Sequence, residues 1–371
     1  DNEASMIKEI ANDILGKLNL SPSNDFEDLV GIEDHITKMS SLLHLGSEEV
    51  RMVGIWGPSG IGKTTIARAL FSRLSCQFQS SVFIDRVFIS KSMKVYSGAN
   101  LVDYNMKLHL QRAFLAEIFD KKDIKIDHIG AMEKMVKHRK AIIVIDDLDD
   151  QDVLDTLVGR TQWFGSGSRI IVVTKDKHFL RAHGIDHIYE VCLPSNALAL
   201  EMFCRSAFWK SSPPDGFLEF SFEVALRAGN LPLGLIVLGS HLRGRGKEDW
   251  IDMLPRLRGL DGKIGKTLRV SYDGLDNKND EAIFRHIACL FNGEKVNDIK
   301  MLLADSYVDV NIGLKNLVDK SLVHVREETV VMYRLLQDMG KEIVRAQSNE
   351  PGEREFVVDA KEICDLLKEN T

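Results

Sequence analysis

Two hydrophobic periods share this chain. From about residue 26 to 195, short apolar runs rich in β-type residues alternate with stretches patterned for helix. The runs are VRMVGIW (50–56), SVFIDRVFI (81–89), AIIVIDD (141–147), RIIVVT (169–174) and IYEV (188–191). Several are apolar at every position, as strands are when helices cover both faces of a sheet, so the pattern predicts a doubly wound parallel α/β sheet. A Ser/Pro/Asn-rich break at 19–25 precedes it. Before the break, Ile7, Ile10, Ala11, Ile14, Leu15 and Leu18 share one helical face, and residues 1–25 read as a linker helix trailing from an upstream unit.

Beyond Pro194 the strand pattern stops. NALALEMFCRSAF, FLEFSFEVALRAG and LGLIVLGSHL read as consecutive helices with short turns, a small helical domain over 196–262. A third unit, 263–345, opens with helices around TLRVSYDGL and DEAIFRHIACLF, continues with the β-type pair SLVHV and TVVMY, and closes on the helix LLQDMGKEIVRA. Helices followed by a small hairpin predict a winged-helix module. Residues 346–371 read as a further linker ending in mid-helix.

Composition narrows the classes. With 371 residues and 44% hydrophobic content the chain can bury a sizeable core in two or three units. A formal net charge of −7 provides no broad basic field, which argues against nucleic acid as a direct partner. No apolar run is long enough to span a bilayer, and no secretory leader pattern opens the chain. Cys76, Cys192, Cys204, Cys289 and Cys364 are odd in number and lack metal-ligand spacing, which reads as free thiols in a reducing compartment, cytoplasmic or nuclear.

The sharpest chemical signal is GPSGIGKTT. It fits G-x-x-x-x-G-K-[ST] at Gly57, Gly62, Lys63 and Thr64, after an apolar strand and before the helical TIARALFSRL, the context this phosphate-binding loop requires. Glycines let backbone N–H groups turn inward around a β-phosphate, Lys63 bridges β- and γ-phosphates, and Thr64 ligates Mg2+. Without that context the same residues would be a Gly-rich turn ahead of a helix. AIIVIDD ends in two acids where such a fold places its metal carboxylate: Asp146 is the candidate magnesium residue, and Asp147 the catalytic candidate that polarises water if ATP is hydrolysed. The alternative there is a helix cap in the acidic turn DDLDDQD. RIIVVT ends on Thr174, a candidate γ-phosphate sensor beside the weaker candidates Lys175 and Arg169; an ordinary strand-end turn is the competing reading.

Taken in order, LVGIEDHI (29–36), GIWGPSGIGKTTIARALF (54–71), AIIVIDDLDD (141–150), GSGSRIIVVTKDKHFLRAHGI (165–185), GNLPLGL (229–235) and FRHIACLF (284–291) strongly resemble the NB-ARC module of plant TIR-NB-LRR immune receptors. The resemblance covers essentially the whole chain. It implies a P-loop NTPase domain (26–195), a helical ARC1 domain and a winged-helix ARC2 domain closing over ADP. It further implies Val30 beside the adenine, Gly60, Ile61, Gly62, Lys63, Thr64 and Thr65 around the phosphates, and Pro232 with Leu233 against the adenine from the helical domain. The family's Met-His-Asp motif, whose histidine reaches the β-phosphate, corresponds here to Met332, Tyr333 and Arg334. Tyrosine keeps a donor but is longer and uncharged, and Arg334 exchanges an acid for a cation.

The implied function is an ADP/ATP switch, with a TIR domain of NAD-cleaving activity upstream, leucine-rich repeats downstream, a pathogen effector sensed through other domains, and homo-oligomerisation on ATP exchange. A continuously turning-over P-loop ATPase or kinase is the alternative from the enzyme class. A kinase needs an acceptor pocket and a cation-rich lid, for which the sequence provides no convincing segment. Reading the winged helix as a DNA reader fares worse, since Arg334, Lys341 and Arg345 alternate with Asp338 and Glu342.

Overall fold

The computed structural model describes residues 29–94, 104–121, 124–148, 150–253, 263–275, 277–304 and 308–369. The linker helix expected over residues 1–25 lies outside them. Packing divides the chain into two units. One holds the described residues up to Trp56 together with Lys63–Val191; the other holds Gly57–Gly62 together with everything from Cys192 onward.

The first unit is a parallel sheet of β1 (Arg51–Trp56), β2 (Ser80–Ile84), β3 (Ala141–Asp146), β4 (Arg169–Thr174) and β5 (His187–Glu190), in the order β2-β3-β4-β1-β5. Its helices are α1 (Ile32–Leu43), α2 (Lys63–Leu74), α3 (Arg86–Lys94), α4 (Tyr104–Phe119), α5 (Ala131–Val136), α6 (Gln151–Val158) and α7 (Lys177–Ala182). β3 and β4 are buried at every residue, which is why they carry no polar alternation, whereas edge strand β2 alternates buried and half-buried.

The run SVFIDRVFI is a strand only as far as Ile84. Asp85 then accepts a 3.0 Å bond from the Phe88 N–H and starts α3, so Val87 is exposed while Ile89 is buried, a split that a strand would not give to residues two apart.

In the second unit α8 (Asn196–Phe208), α9 (Leu218–Arg227), α10 (Pro232–Leu242) and α11 (Lys247–Met253) enclose Phe203, Phe208, Phe217 and Trp250, with Trp250 stacked on Phe208 at 5.4 Å between ring centres. Next come α12 (Lys263–Asp273), α13 (Lys278–His286), α14 (Val296–Leu302), α15 (Val310–Asp319), the antiparallel hairpin β6 (His324–Arg326) and β7 (Thr329–Val331), and α16 (Arg334–Arg345). The hairpin is shorter than the predicted runs, and α14 and α15 were not anticipated. α17 (Ala360–Glu369) closes the described chain. Among the described residues no helix is long and apolar enough to cross a membrane.

Candidate functional site

β1 delivers the chain at Trp56, buried and capped by the Lys177 ammonium 4.4 Å from its ring centre, and α2 resumes at Lys63. Thr64, one residue into α2, donates its hydroxyl to Asp146 Oδ1 at 3.0 Å, so the strand-end carboxylate and the helix N-terminus meet as the motif requires. Burial raises the Asp146 pKa, Asp147 adds to the shift, and the Thr64 bond, Arg68 and Lys63 oppose it. The Lys63 ammonium has lost much of its water, which lowers its pKa to about 8 against the attraction of Asp147 and Asp146; Lys175 pushes the same way as burial. Thr65 is half-buried on the next position of α2.

Asp147 leaves β3 with φ of 55°, unusual for a residue with a side chain, and its N–H bonds Val173 O at 3.1 Å. Its carboxylate is exposed and 3.6 Å from the Arg86 guanidinium. Thr174 is buried, and its Oγ1 accepts the Asp176 N–H at 3.1 Å, so the hydroxyl also serves the turn into α7. Val30 precedes Gly31, whose φ of 77° starts α1.

Arg169, weighed as a phosphate sensor, is instead fully buried at the first residue of β4. Its guanidinium donates to the carbonyls of Leu43, His44, Ser47, Glu49 and Ser168 at 2.6 to 2.9 Å, pinning the end of α1 and the segment after it.

In the second unit the loop Gly57–Gly62 meets residues far along the chain. Gly60 adopts φ of 81°, and its carbonyl accepts the Leu233 N–H at 3.1 Å; Gly62 adopts φ of 103°, and Ile61 is buried. Ser59 and Ser271 of α12 share a hydrogen bond at 2.8 Å. Pro232 is the first residue of α10, where a missing N–H costs nothing. Tyr333 lines a small cavity with Pro58, Ser59, Gly229, Leu231 and Leu268, and its ring lies 4.6 Å from that of His324.

Residues 32–212 match the NB-ARC domain family, and residues 277–348 match the winged-helix domain of Roq1-like disease resistance proteins. The chain belongs to the NB-ARC family of disease resistance proteins. It is 84% identical over its whole length to the disease resistance protein RPS6 of Arabidopsis thaliana, covering 33% of that protein, and 52% identical to RPP5 of the same plant, covering 25%. It thus spans about a third of the length of these relatives or less. A Walker-type ATPase of Pyrococcus abyssi shares the fold, with a TM-score of 0.54 at 12% identity over 85% of this chain and 97% of that one.

An NB-ARC domain binds nucleotide, and the residues suit one. Positive φ at Gly60 and Gly62 is the backbone state that a phosphate-cradling loop needs and that side chains resist. The Thr64 hydroxyl and the buried Asp146 carboxylate are hard oxygen donors paired at 3.0 Å, a set that fits Mg2+. Ser59, Ser271, Leu231 and Leu268 were not singled out in the sequence; Ser59 occupies a variable position of the loop motif, Leu231 falls within GNLPLGL without a role assigned to it, and no signal pointed to Ser271 or Leu268.

Proposed function

We propose that this chain is the nucleotide-operated switch of a plant immune receptor, holding ADP at rest and oligomerising when ATP replaces it. The observation that carries the reading is the bonding of the phosphate loop: Gly60 O to the Leu233 N–H at the start of α10, and Ser59 to Ser271 of α12. A loop that grips phosphate while bonded to the helical and winged-helix elements gives a ligand something to bias, as a switch requires. Gly60 to Thr65 would hold the phosphates; Val30, Pro232 and Leu233 would flank the adenine. Thr64 and Asp146 would hold Mg2+, which supplies charge neutralisation at the phosphates when bound. Thr174 would read the γ-phosphate, Tyr333 the β-phosphate, and Asp147 would orient water in a slow resetting hydrolysis.

On this reading 26–195 is the P-loop domain, 196–262 ARC1, 263–345 ARC2 and 346–371 the linker toward leucine-rich repeats. The whole receptor carries a TIR domain with NAD-cleaving activity ahead of residues 1–25 and senses a pathogen effector through other domains inside the cell. Denaturing the purified chain and identifying the released nucleotide by chromatography tests the resting state. About one ADP per chain is expected; an empty chain, or one that turns ATP over continuously, would overturn the switch in favour of an ordinary ATPase.

A further inference from the structure

We propose that Arg86 is a positioning residue that restrains Asp147, slowing hydrolysis of bound ATP. The inference rests on the nucleotide reading above and adds a brake to it. Its starting point is the register of two neighbouring strands. Ile84 of β2 lies opposite Ile145 of β3, so the residues that follow, Asp85 and Arg86, emerge beside Asp146 and Asp147. The side chains complete what the register sets up, since Arg86 and Asp147 form an ion pair at 3.6 Å. Arg68, the neighbouring cation, is engaged differently: it lies 3.7 Å from Asp85 and 4.4 Å over the Phe83 ring.

Asp147 is fixed from behind. Its N–H bonds Val173 O and its backbone adopts φ of 55°, while the side-chain torsions that carry the carboxylate stay free to turn toward Arg86 or away from it. A carboxylate drawn through Oδ2 toward a guanidinium on the β2 side spends less time turned to orient a water for attack on a γ-phosphoryl group. That attack forms a bond from the water oxygen to the γ-phosphorus, breaks the bond to the β,γ-bridging oxygen, and leaves ADP with the electron pair, inorganic phosphate, and a proton passed through Asp147 to solvent. Arg86 therefore competes with the water for Asp147.

The pair is loose. Both side chains are about 60% exposed (61% and 60%), and exposed pairs of this kind are worth at most about 1 kcal/mol, so the brake is about two- to fivefold and yields to salt. An ordinary surface ion pair with no role would have the same geometry but leave hydrolysis indifferent to its loss.

The test is single-turnover hydrolysis of pre-bound, γ-labelled ATP with Mg2+ by the whole chain, at about 0.05 M and about 0.5 M salt. Arg86→Ala should hydrolyse ATP about two- to fivefold faster than the parent at low salt. The parent should accelerate toward that rate at high salt while the variant does not, and Arg86→Lys should retain most of the restraint. In an Asp147→Asn background the Arg86→Ala change should have no effect. An Arg86→Ala rate equal to or below the parent's, or a similar acceleration without Asp147, overturns the proposal. ATP affinity is measured on the same samples by filter binding: normal binding with an unchanged rate removes the brake alone, whereas a chain that binds no ATP removes the nucleotide reading and the brake with it.

Discussion

Lys63 links nucleotide affinity to pH. In the nucleotide-free chain its ammonium titrates at about 8, because burial has stripped its water and Asp147 and Asp146 only partly compensate. A di- or triphosphate beside it adds negative charge to that of Asp147 and Asp146 and returns its titration to about pH 10 or higher. Binding therefore takes up a proton, about 0.1 per chain at pH 7, about 0.5 at pH 8 and about 0.9 at pH 9. The nucleotide's own last phosphate proton, with a pKa of about 6, is still about one-tenth present at pH 7 and offsets the small uptake there, but it is gone at about pH 8 and above, where the uptake is read. Affinity for ADP should fall about tenfold from pH 7 to pH 9, a loss of about 1.4 kcal/mol.

Titration calorimetry in two buffers of different ionisation enthalpy measures the uptake directly. No uptake at about pH 8, or a flat affinity across the range, would refute the placement of Lys63 against phosphate. The same burial acts on folding. The folded pKa lies below the unfolded one, so the cost of charged Lys63, about 3 kcal/mol, is fully present below pH 8 and disappears as pH rises from about 8 to 10.5. Lys63→Met removes that cost, and the variant should melt above the parent without nucleotide yet gain nothing from ADP.

Two other side chains give sharp expectations. Arg169→Ala deprives backbone carbonyls around residues 43–49 of a charged donor and should cost about 3–5 kcal/mol, lowering the melting temperature by about 10 °C and raising hydrogen exchange over 43–51; a melt within about 2 °C of the parent would count against the clamp. Tyr333→Phe should speed ADP release in stopped flow, by a factor corresponding to about 1–3 kcal/mol, if the hydroxyl meets the β-phosphate; identical release rates would mean that the ring serves only its packing on His324.

The sheet was readable because its central strands are buried on both faces and so are apolar throughout, as AIIVID and RIIVVT are. Residues 85–89 were not: VFI is as apolar as a strand, and only the capping bond of Asp85 decides for helix. The phosphate loop, Thr64 and Asp146 were legible because one motif and its flanking strand and helix specify them locally. Arg169 misled because residue type suggests a phosphate ligand while register contradicts it. It begins the strand that Thr174 ends, roughly 16 Å away at about 3.3 Å per residue, and its partners are carbonyls that no side-chain pattern announces. Ser271 and Arg86 likewise acquire meaning only from tertiary neighbours, one from Ser59 and the other from the β2–β3 register.

The two loop glycines do different work, which bears on how a nucleotide could be read by the rest of the module. Gly62 needs its φ of 103° but has nothing within 4 Å of where a Cβ would stand, so its requirement is conformational alone. Gly60 needs φ of 81°, and a Cβ there would come within 2.9 Å of the Leu233 Cβ and 3.3 Å of a Leu231 methyl. Its carbonyl also holds the Leu233 N–H, so loop and helix start are joined by a bond and by contact at one residue. A phosphate that turns the Gly60 peptide must either keep that bond by carrying the start of α10 with it or break it. Either outcome makes the free energy of nucleotide binding depend on where α10 begins, and that dependence is what the proposed switch needs between its ADP and ATP forms.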